Sequence, residues 1–237
     1  MRHGHRVAVV IPALNEERAI GRVIADVPAW VDRIVVADNG STDRTAEVAR
    51  AGGAIVIAEP EPGYGAACLR GLSEIGDADI VVFLDGDYSD HPDEMVSLVD
   101  PIITGGNDMV IGSRVLGERE AGALTPQQRF GNWLATRLIR LFWGVRYTDL
   151  GPFRAIRAAS LAALEMRDRT YGWTVEMQIK AAILGLSATE VPVRYRRRIG
   201  VSKVSGTVKG SVMAGWKILA MIGVHAVRSR GAASVRG

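Results

Sequence analysis

The amino-acid sequence predicts an α/β protein with a mostly parallel, twisted sheet and helices on both of its faces. In residues 1–112, short Val- and Ile-rich runs alternate with helical stretches, which is the pattern of βαβ units. The runs are almost continuously apolar, as in strands that are covered on both faces. Hydrophobic residues make up 48% of the 237 residues, so the chain can bury a substantial core.

Five strands and four helices are predicted in the first half of the chain. The strands are RVAVVIP (6–12), RIVVAD (33–38), AIVIAE (54–59), DIVVFLD (79–85) and DMVIGS (108–113). The helices lie at about residues 16–27, 43–51, 64–75 and 92–103. Thr42-Asp43 and Asp90-His91-Pro92 are predicted helix starts, because cap residues and early acids precede periodic apolar positions there.

The pattern changes after Ser113. The predicted elements are a helix (128–143), a short strand (153–157), a second helix (172–184), an edge strand (188–196), a mobile loop (197–206) and a final helix (about 207–227). No linker marks a second domain. We therefore expect a single domain over residues 1–206, with a nucleotide-binding half (about 1–112) and an acceptor half (about 113–206), followed by a basic amphipathic helix and tail (207–237).

The net charge of +3 conceals a strong asymmetry. Residues 191–237 contain ten Lys and Arg residues and no Asp or Glu, so the remaining chain carries all 26 acids against 19 bases. A basic tail of this kind favours an anionic partner such as a phosphate, a nucleic acid or an anionic membrane. Nucleic acid is disfavoured, because the body is acidic and no recognition motif is present.

Cysteine content and hydropathy limit the cellular setting. The single cysteine, Cys68, excludes an intramolecular disulfide and fits a reducing compartment. No segment has the roughly 18–20 consecutive apolar residues that a membrane-spanning helix requires. The expectation is a cytoplasmic protein.

Polar clusters follow three of the predicted strands. They are Pro12 to Glu16, Asp38 to Asp43 and Asp85 to Asp87. Because ligands of open parallel sheets lie outside the carboxyl ends of the strands, these clusters are candidate binding segments.

Asp85-Gly86-Asp87 is the candidate metal site. Alternate residues of an extended chain point the same way, and two carboxylates about 4 Å apart repel by roughly 4 kcal/mol near a protein surface. A hard cation such as Mg²⁺ or Mn²⁺ removes that repulsion and takes further oxygen ligands from substrate phosphates. An acidic turn with a helix cap is the alternative interpretation.

The other clusters leave alternatives open. Asp38 and Asn39 present a carboxylate and an amide that suit the edge of a base, but DNGSTDRT also reads as an Asn-Gly turn before a capped helix. Asn15 and Glu16 either line the site or cap a helix. In GYGAACLRGL (63–72), two glycines at a helix start form either an anion cradle or a plain Gly-rich start.

Taken together, these segments resemble family 2 glycosyltransferases with the GT-A (nucleotide-diphospho-sugar transferase) fold. The segments that carry the resemblance are VVIPALNEE, VVADNGSTDRT, GYGAACLRGL, FLDGDYSDHPDE and IGSR. The later part resembles polyprenyl- and dolichyl-phosphate mannose or glucose synthases through QQRFGNWLATRL (127–138), TDLGPFRAIR (148–157), EVPVRY (190–195) and RRIGVSKVSG (197–206). The chain departs from the pattern of this family at three positions. They are Asn39 in place of the usual second acid, Pro152 before Phe153, and an extra Asp90 after the metal motif.

The resemblance implies roles by position. The nucleotide pocket would be lined by Pro12, Asn15, Glu16, Asp38 and Gly65, with Asn39 altering base preference. Asp85 and Asp87 would hold Mg²⁺ or Mn²⁺ and the diphosphate of a UDP-, GDP- or dTDP-sugar. Arg114 and Arg129 would meet an acceptor phosphate, and Arg198 and Lys203 would close over the site.

The implied activity is a metal-dependent, inverting transfer of a sugar to a lipid phosphate. The alternative is a soluble hydroxyl acceptor, for which Asp149 is the candidate general base; the other interpretation of Asp149 is a structural role. The C-terminal helix would place the enzyme peripherally at the inner face of the membrane. Alternatively, that helix packs on the domain or on a second subunit of a homo-oligomer.

Overall fold

The computed structural model describes residues 1–200 and 215–227, and it confirms the predicted α/β architecture. The strands are β1 (Val7–Ala13), β2 (Arg33–Asp38), β3 (Ile55–Ala58), β4 (Ile80–Phe83), β5 (Met109–Ser113), β6 (Arg154–Arg157) and β7 (Ala188–Pro192). The helices are α1 (Ile20–Asp26), α2 (Thr45–Ala51), α3 (Tyr64–Leu72), α4 (Met95–Ile103), α5 (Pro126–Trp143), α6 (Ala158–Leu164), α7 (Trp173–Leu184) and α8 (215–227).

The strands form one sheet in the order β3-β2-β1-β4-β6-β5-β7. Strand β6 pairs antiparallel with both β4 and β5, and the other neighbouring pairs are parallel. The sheet is therefore mostly parallel, as predicted. Strand β7 lies at its edge beside β5, with Met109 opposite Ala188 and Ser113 opposite Pro192.

Alternate residues of the central strands separate two layers of core. On β1, Val7, Val9 and Ile11 face α1, α2 and α4, while Val10 faces the layer that contains α3, α5 and α7. Each of these side chains is fully buried. Both faces of the sheet are thus covered, which explains the unbroken apolar runs in the sequence.

Several local predictions differ from the structure: α1 begins at Ile20 rather than at residue 16, α3 ends at Leu72 rather than at residue 75, and β7 ends at Pro192 rather than at residue 196. Helix α2 begins after Arg44 rather than at Thr42-Asp43, although Asp43 still supports its start by accepting a hydrogen bond from the Thr45 N–H (3.0 Å). Helix α6 was not predicted, because it follows β6 without an intervening turn signal. The segment Pro92–Glu94 forms a 3₁₀ turn that leads into α4.

Helix α8 packs on the domain. Ile222 is buried in the core layer that includes α7, and Ile218 and Met221 pack against the same layer. The Lys217 ammonium lies 2.8 Å from the Asp168 carboxylate. This packing agrees with one of the two alternatives for the C-terminal helix. Its predicted first residues, 207–214, and Lys203 lie outside the described residues. Within the described ranges, no helix combines the length and apolar character needed to cross a membrane.

A loop crosses the N-terminus of α3 at close range. The N–H groups of Gly65 and Ala66 donate to the carbonyls of Thr170 (3.0 Å) and Arg169 (2.9 Å). A Cβ added at Gly65 would lie 2.0 Å from the Asp168 carbonyl oxygen. Glycine is therefore required at this position by close backbone packing, and the N–H groups that would form an anion cradle are already used.

We expect Gly65→Ala to lower the free energy of unfolding by more than about 3 kcal/mol, because a clash with rigid backbone exceeds the usual cost of overpacking. Gly131→Ala on α5 is the matched control, since its added Cβ would meet no described atom within 4 Å apart from its chain neighbours and the backbone of its own helix. That variant should be neutral or slightly stabilising. Urea denaturation of both variants measures the difference, and equal stabilities would contradict the packing described.

Candidate active site

A cavity of about 880 Å³ opens where the carboxyl ends of several strands meet. Pro12 comes from the end of β1, Asn39 follows β2, Asp85 and Asp87 follow β4, and Arg114 follows β5. The structure thus brings three polar clusters of the sequence together, as the ligand-binding edge of a parallel sheet should.

Three carboxylates stand in the loop after β4. Asp87 is 3% exposed and Asp90 is 1% exposed. One Asp90 oxygen accepts a hydrogen bond from the Asp85 N–H (3.2 Å), whereas its other oxygen, Oδ1, has no hydrogen-bond partner among the described residues. Asp85 accepts from the Tyr64 hydroxyl (3.0 Å), and Asp87 Oδ1 accepts from the Ser89 N–H (2.8 Å).

Burial and nearby negative charge raise the pKa of two of these acids, Asp85 and Asp90. Burial and then the nearby charge of Asp87 raise the pKa of Asp85 to about 7. Burial and the charges of Asp85 and Asp87 raise the pKa of Asp90 as well. The loop therefore holds more negative charge than its surroundings compensate, which is the electrostatic condition of a cation site.

The residues fit a Mg²⁺ or Mn²⁺ ion. Asp85 and Asp87 both line the cavity and offer hard carboxylate oxygens, which these ions prefer. The described residues contain no group of three or more His, Cys, Asp or Glu side chains arranged to hold a metal by themselves. Such ions commonly take one or two carboxylates from the protein and further oxygen ligands from substrate phosphates.

Arg198 contacts the same carboxylates. Its Nη2 atom lies 2.5 Å from Asp87 Oδ2 and 3.6 Å from Glu16 Oε1. Glu16 is 7% exposed and is held by a hydrogen bond from its own N–H to Thr45 Oγ1 (2.7 Å). The structure thus joins the ends of β1 and β4 to the segment that follows β7.

Asp149 does not face the cavity. It is 0% exposed and makes a bidentate ion pair with Arg114, with both side-chain contacts at 2.7 Å. Burial tends to raise its pKa, but the charge and hydrogen bonds of Arg114 outweigh burial and hold the pKa of Asp149 below its usual value. The carboxylate is sequestered and positions Arg114, which agrees with the structural interpretation of Asp149, and its role as a general base for a hydroxyl acceptor stays a prediction.

Arg114 is fixed from two sides. Besides Asp149, its guanidinium lies over the Tyr195 ring, 5.1 Å from the centroid. Its backbone N–H also donates to Asp149 Oδ2 (2.8 Å). The side chain is therefore a pre-positioned cation in the cavity wall. Arg129 is exposed in the first turns of α5 and lines the same cavity.

The predicted nucleotide-pocket residues have different environments. Pro12 and Glu16 line the cavity. Asn15 accepts from the Thr42 N–H (2.8 Å) and Asp38 accepts from the Ser41 N–H (3.2 Å), so both side chains stabilise the loop after β2. Gly65 is absent from the cavity wall and packs under residues 168–170 instead.

Asn39 lines the cavity, but its amide stabilises a neighbouring loop. The Nδ2 atom donates to the carbonyls of Glu59 (3.0 Å) and Glu61 (2.7 Å), and Oδ1 accepts from the Gly63 N–H (2.8 Å). Both amide hydrogens are therefore used within the protein. Reading a base through this amide, as the sequence predicted, would require those bonds to open.

Sequence reasoning missed several residues of the cavity wall. They are Tyr64, Arg119, Trp133, Arg137, Tyr171 and Tyr195. Tyr64 lies in GYGAACLRGL (63–72) and Tyr195 lies in VRYRRR (193–198). Their proximity to the aspartates depends on long-range packing, which no local spacing reveals.

This geometry defines a class of protein: an α/β transferase of the GT-A type, with a carboxylate pair after a central parallel strand and a cavity that extends into a second, arginine-rich half. The model of the family described as glycosyl transferase family 2 matches residues 8–164. The chain belongs to that family.

Relatives and solved structures agree with this assignment. An uncharacterised glycosyltransferase of Mycobacterium tuberculosis is 37% identical over 221 residues, which cover 91% of this chain and 99% of the relative. A dolichyl-phosphate hexose transferase of Haloferax volcanii is 34% identical, with coverage of 87% and 90%. Glucosyl-3-phosphoglycerate synthase of M. tuberculosis, crystallised with Mn²⁺, UDP and glucosyl-3-phosphoglycerate, superposes with a TM-score of 0.76 at 26% identity, covering 94% of this chain and 80% of that one.

Asp85 should make stability depend on pH. Its raised pKa of about 7 means that the folded state keeps a proton which the unfolded chain loses near pH 4. The contribution of this group to stability is therefore present at acidic pH and is lost as the pH rises to about 7. We expect Asp85→Asn to become more stable than the wild type above pH 7, by on the order of 2 kcal/mol.

Urea denaturation between pH 4 and 8 measures the difference in the free energy of unfolding between Asp85→Asn and the wild type. Saturating Mn²⁺ should reduce this difference, because it stabilises only the wild type. Asp77→Asn is the control, because Asp77 is 76% exposed at the opposite end of β4. A gap between the Asp85 variant and the wild type that does not change with pH would contradict the electrostatic description of the site.

Proposed function

We propose that this enzyme transfers a sugar from a UDP-, GDP- or dTDP-linked donor to a polyprenyl phosphate, with Mg²⁺ or Mn²⁺ as cofactor. The proposal depends on one observation. Among the described residues that line the cavity, every acid (Glu16, Asp85, Asp87) comes from the nucleotide-binding half, whereas every charged residue from the acceptor half is a cation. Those cations are Arg114, Arg119, Arg129, Arg137 and Arg198.

An acceptor side of the cavity wall without acids among its described residues favours an anionic acceptor. Two anionic substrates must meet in one site, and arginines cancel that repulsion while they orient phosphate oxygens. Arg114 is well suited to this role, since Asp149 and Tyr195 hold its guanidinium in place. Its remaining donor groups can then meet a ligand without losing much side-chain freedom.

The burial of Asp149 also favours a phosphate as the nucleophile. A hydroxyl acceptor needs a general base within hydrogen-bond reach, and Asp149 is paired with Arg114 and fully buried. A phosphate monoester is already ionised near pH 7 and attacks without a base. An attack on the anomeric carbon from the face opposite the diphosphate would invert its configuration.

The rim of the cavity supports a lipid rather than a small soluble phosphate. Phe130 and Trp133 on α5 are 62% and 51% exposed, and their ring centroids lie 5.9 Å apart. Trp216, which is 75% exposed, follows the cavity-lining Gly215. Large apolar side chains beside arginines are typical of surfaces that meet a membrane interface, and this rim is the proposed contact with the membrane.

On the donor side, the chain's own groups bind and orient the nucleotide-sugar. A divalent ion held by Asp85 and Asp87 would neutralise the diphosphate as a leaving group. Tyr64 keeps the Asp85 carboxylate oriented through its hydroxyl. Glu16 and Pro12 form the wall at the end of β1. The name of the Haloferax relative, a dolichyl-phosphate hexose transferase, is consistent with this division of roles.

A soluble acceptor is the second candidate. The structural neighbour crystallised with glucosyl-3-phosphoglycerate shares the fold over most of this chain, and phosphoglycerate is anionic as well. The absence of a free acid from the described acceptor wall and the exposed aromatic rim both favour the lipid.

The deciding experiment measures nucleoside diphosphate release with Mn²⁺ and a panel of UDP-, GDP- and dTDP-sugars. Undecaprenyl phosphate, polyprenol without phosphate, and 3-phosphoglycerate are supplied in separate reactions. We expect undecaprenyl phosphate to stimulate release at least tenfold with one donor, and the polyprenol to have no effect. Stimulation by 3-phosphoglycerate but not by the lipid phosphate would refute the proposed acceptor.

Arg129→Gln tests the acceptor site directly. We expect the KM for undecaprenyl phosphate to rise by about tenfold, because a charge-assisted contact to phosphate is lost, while the KM for the donor stays unchanged. Arg140→Gln is the matched control, since Arg140 is exposed on the same helix but is not part of the cavity wall. An equal effect of both variants would point to general charge rather than a phosphate contact.

A further inference from the structure

Arg198 uses a carboxylate oxygen that a metal ion needs. Its Nη2 atom lies 2.5 Å from Asp87 Oδ2, and the remaining oxygen of that carboxylate accepts from the Ser89 N–H (2.8 Å). The same nitrogen is 3.6 Å from Glu16. One guanidinium thus compensates much of the negative charge at the candidate metal site.

The backbone of the segment around Arg198 runs along the metal loop. The Arg196 N–H donates to the Ser89 carbonyl (3.0 Å) and the Ile199 N–H donates to the Asp87 carbonyl (2.9 Å). The Arg196 side chain donates to the carbonyls of Tyr88 (2.6 Å) and Asp90 (3.0 Å). Arg198 is therefore held next to Asp87 by its neighbours, and its position is not that of a freely moving surface side chain.

One nitrogen of Arg198 lacks a partner. Its Nε atom is buried and makes no hydrogen bond to any described residue. A buried guanidinium nitrogen without a partner costs free energy. The contact with Asp87 therefore satisfies Arg198 incompletely, and an anion that reached both edges of the guanidinium would satisfy it better.

We propose that Arg198 and the divalent cation compete for Asp87. Binding of the cation with the donor diphosphate then releases the guanidinium from Asp87 and makes it available to the acceptor phosphate. The second step rests on the proposed function; the competition itself does not. Arg198 would bind first the Asp87 carboxylate and then the acceptor phosphate. The donor should therefore bind before the acceptor.

The first test measures Mn²⁺ binding without any sugar nucleotide or acceptor, by the loss of the electron paramagnetic resonance signal of free Mn²⁺. Arg198→Gln removes the competing cation, so we expect it to bind Mn²⁺ on the order of tenfold more tightly than the wild type. Arg197→Gln removes the same charge one residue away. It is the matched control, because Arg197 is exposed and its Nε donates to the Ala121 carbonyl (2.7 Å) instead.

The outcomes separate clearly. Tighter Mn²⁺ binding by Arg198→Gln alone supports the competition. Unchanged or weaker binding by this variant overturns it, and equal tightening in both variants also overturns it, because long-range charge would then explain the result. Circular dichroism and thermal melting of both variants check that they fold.

The second test measures the affinity for farnesyl phosphate with and without Mn²⁺ and UDP. We expect Mn²⁺ and UDP to strengthen binding to the wild type several-fold and to have no such effect on Arg198→Gln. An equal strengthening in the variant would refute the release of Arg198. If the wild type fails to bind farnesyl phosphate while the Mn²⁺ competition is observed, the proposed acceptor is wrong and the competition stands.

Discussion

Concentrated negative charge after β4 is the constraint on which the site depends. Asp85, Asp87 and Asp90 lie within six residues of chain, and two of them are almost completely buried. Water cannot stabilise these charges fully, so the protein surrounds them with the Tyr64 hydroxyl, backbone N–H groups and the Arg198 guanidinium. Compensation remains partial, as the raised pKa of Asp85 shows. A site of this kind binds a cation strongly because the cation relieves a cost that folding has already imposed.

Residues 113–200 use the opposite arrangement. Asp149 is withdrawn into a buried pair with Arg114, and the charged side chains that this part of the described chain adds to the cavity wall are all arginines. A buried ion pair contributes little net stability, so its value here is the fixed orientation of the arginine. The two sides of the cavity thus carry opposite charge.

The sequence predicted most of the fold because apolar periodicity is a local property. All five strands of the first half were located to within about two residues, and the carboxylate pair was recognisable from two acids directly after a buried strand. Asn39, Gly65 and Asp149 were harder. Their side-chain types suit ligand binding, but the loop at 59–63, the carbonyl of Asp168 and the guanidinium of Arg114 use them instead. These partners are 20 or more residues away along the chain, and only tertiary packing brings them together.

Strand β6 has a consequence for how such enzymes diversify. Because it runs antiparallel between β4 and β5, its beginning, rather than its end, lies at the ligand edge of the sheet. Residues 148–151 therefore reach the cavity directly from α5, without a further crossover helix. The segment of about forty residues between β5 and β6 can therefore vary in sequence and length without disturbing the pairing of β1 with β2 and β4.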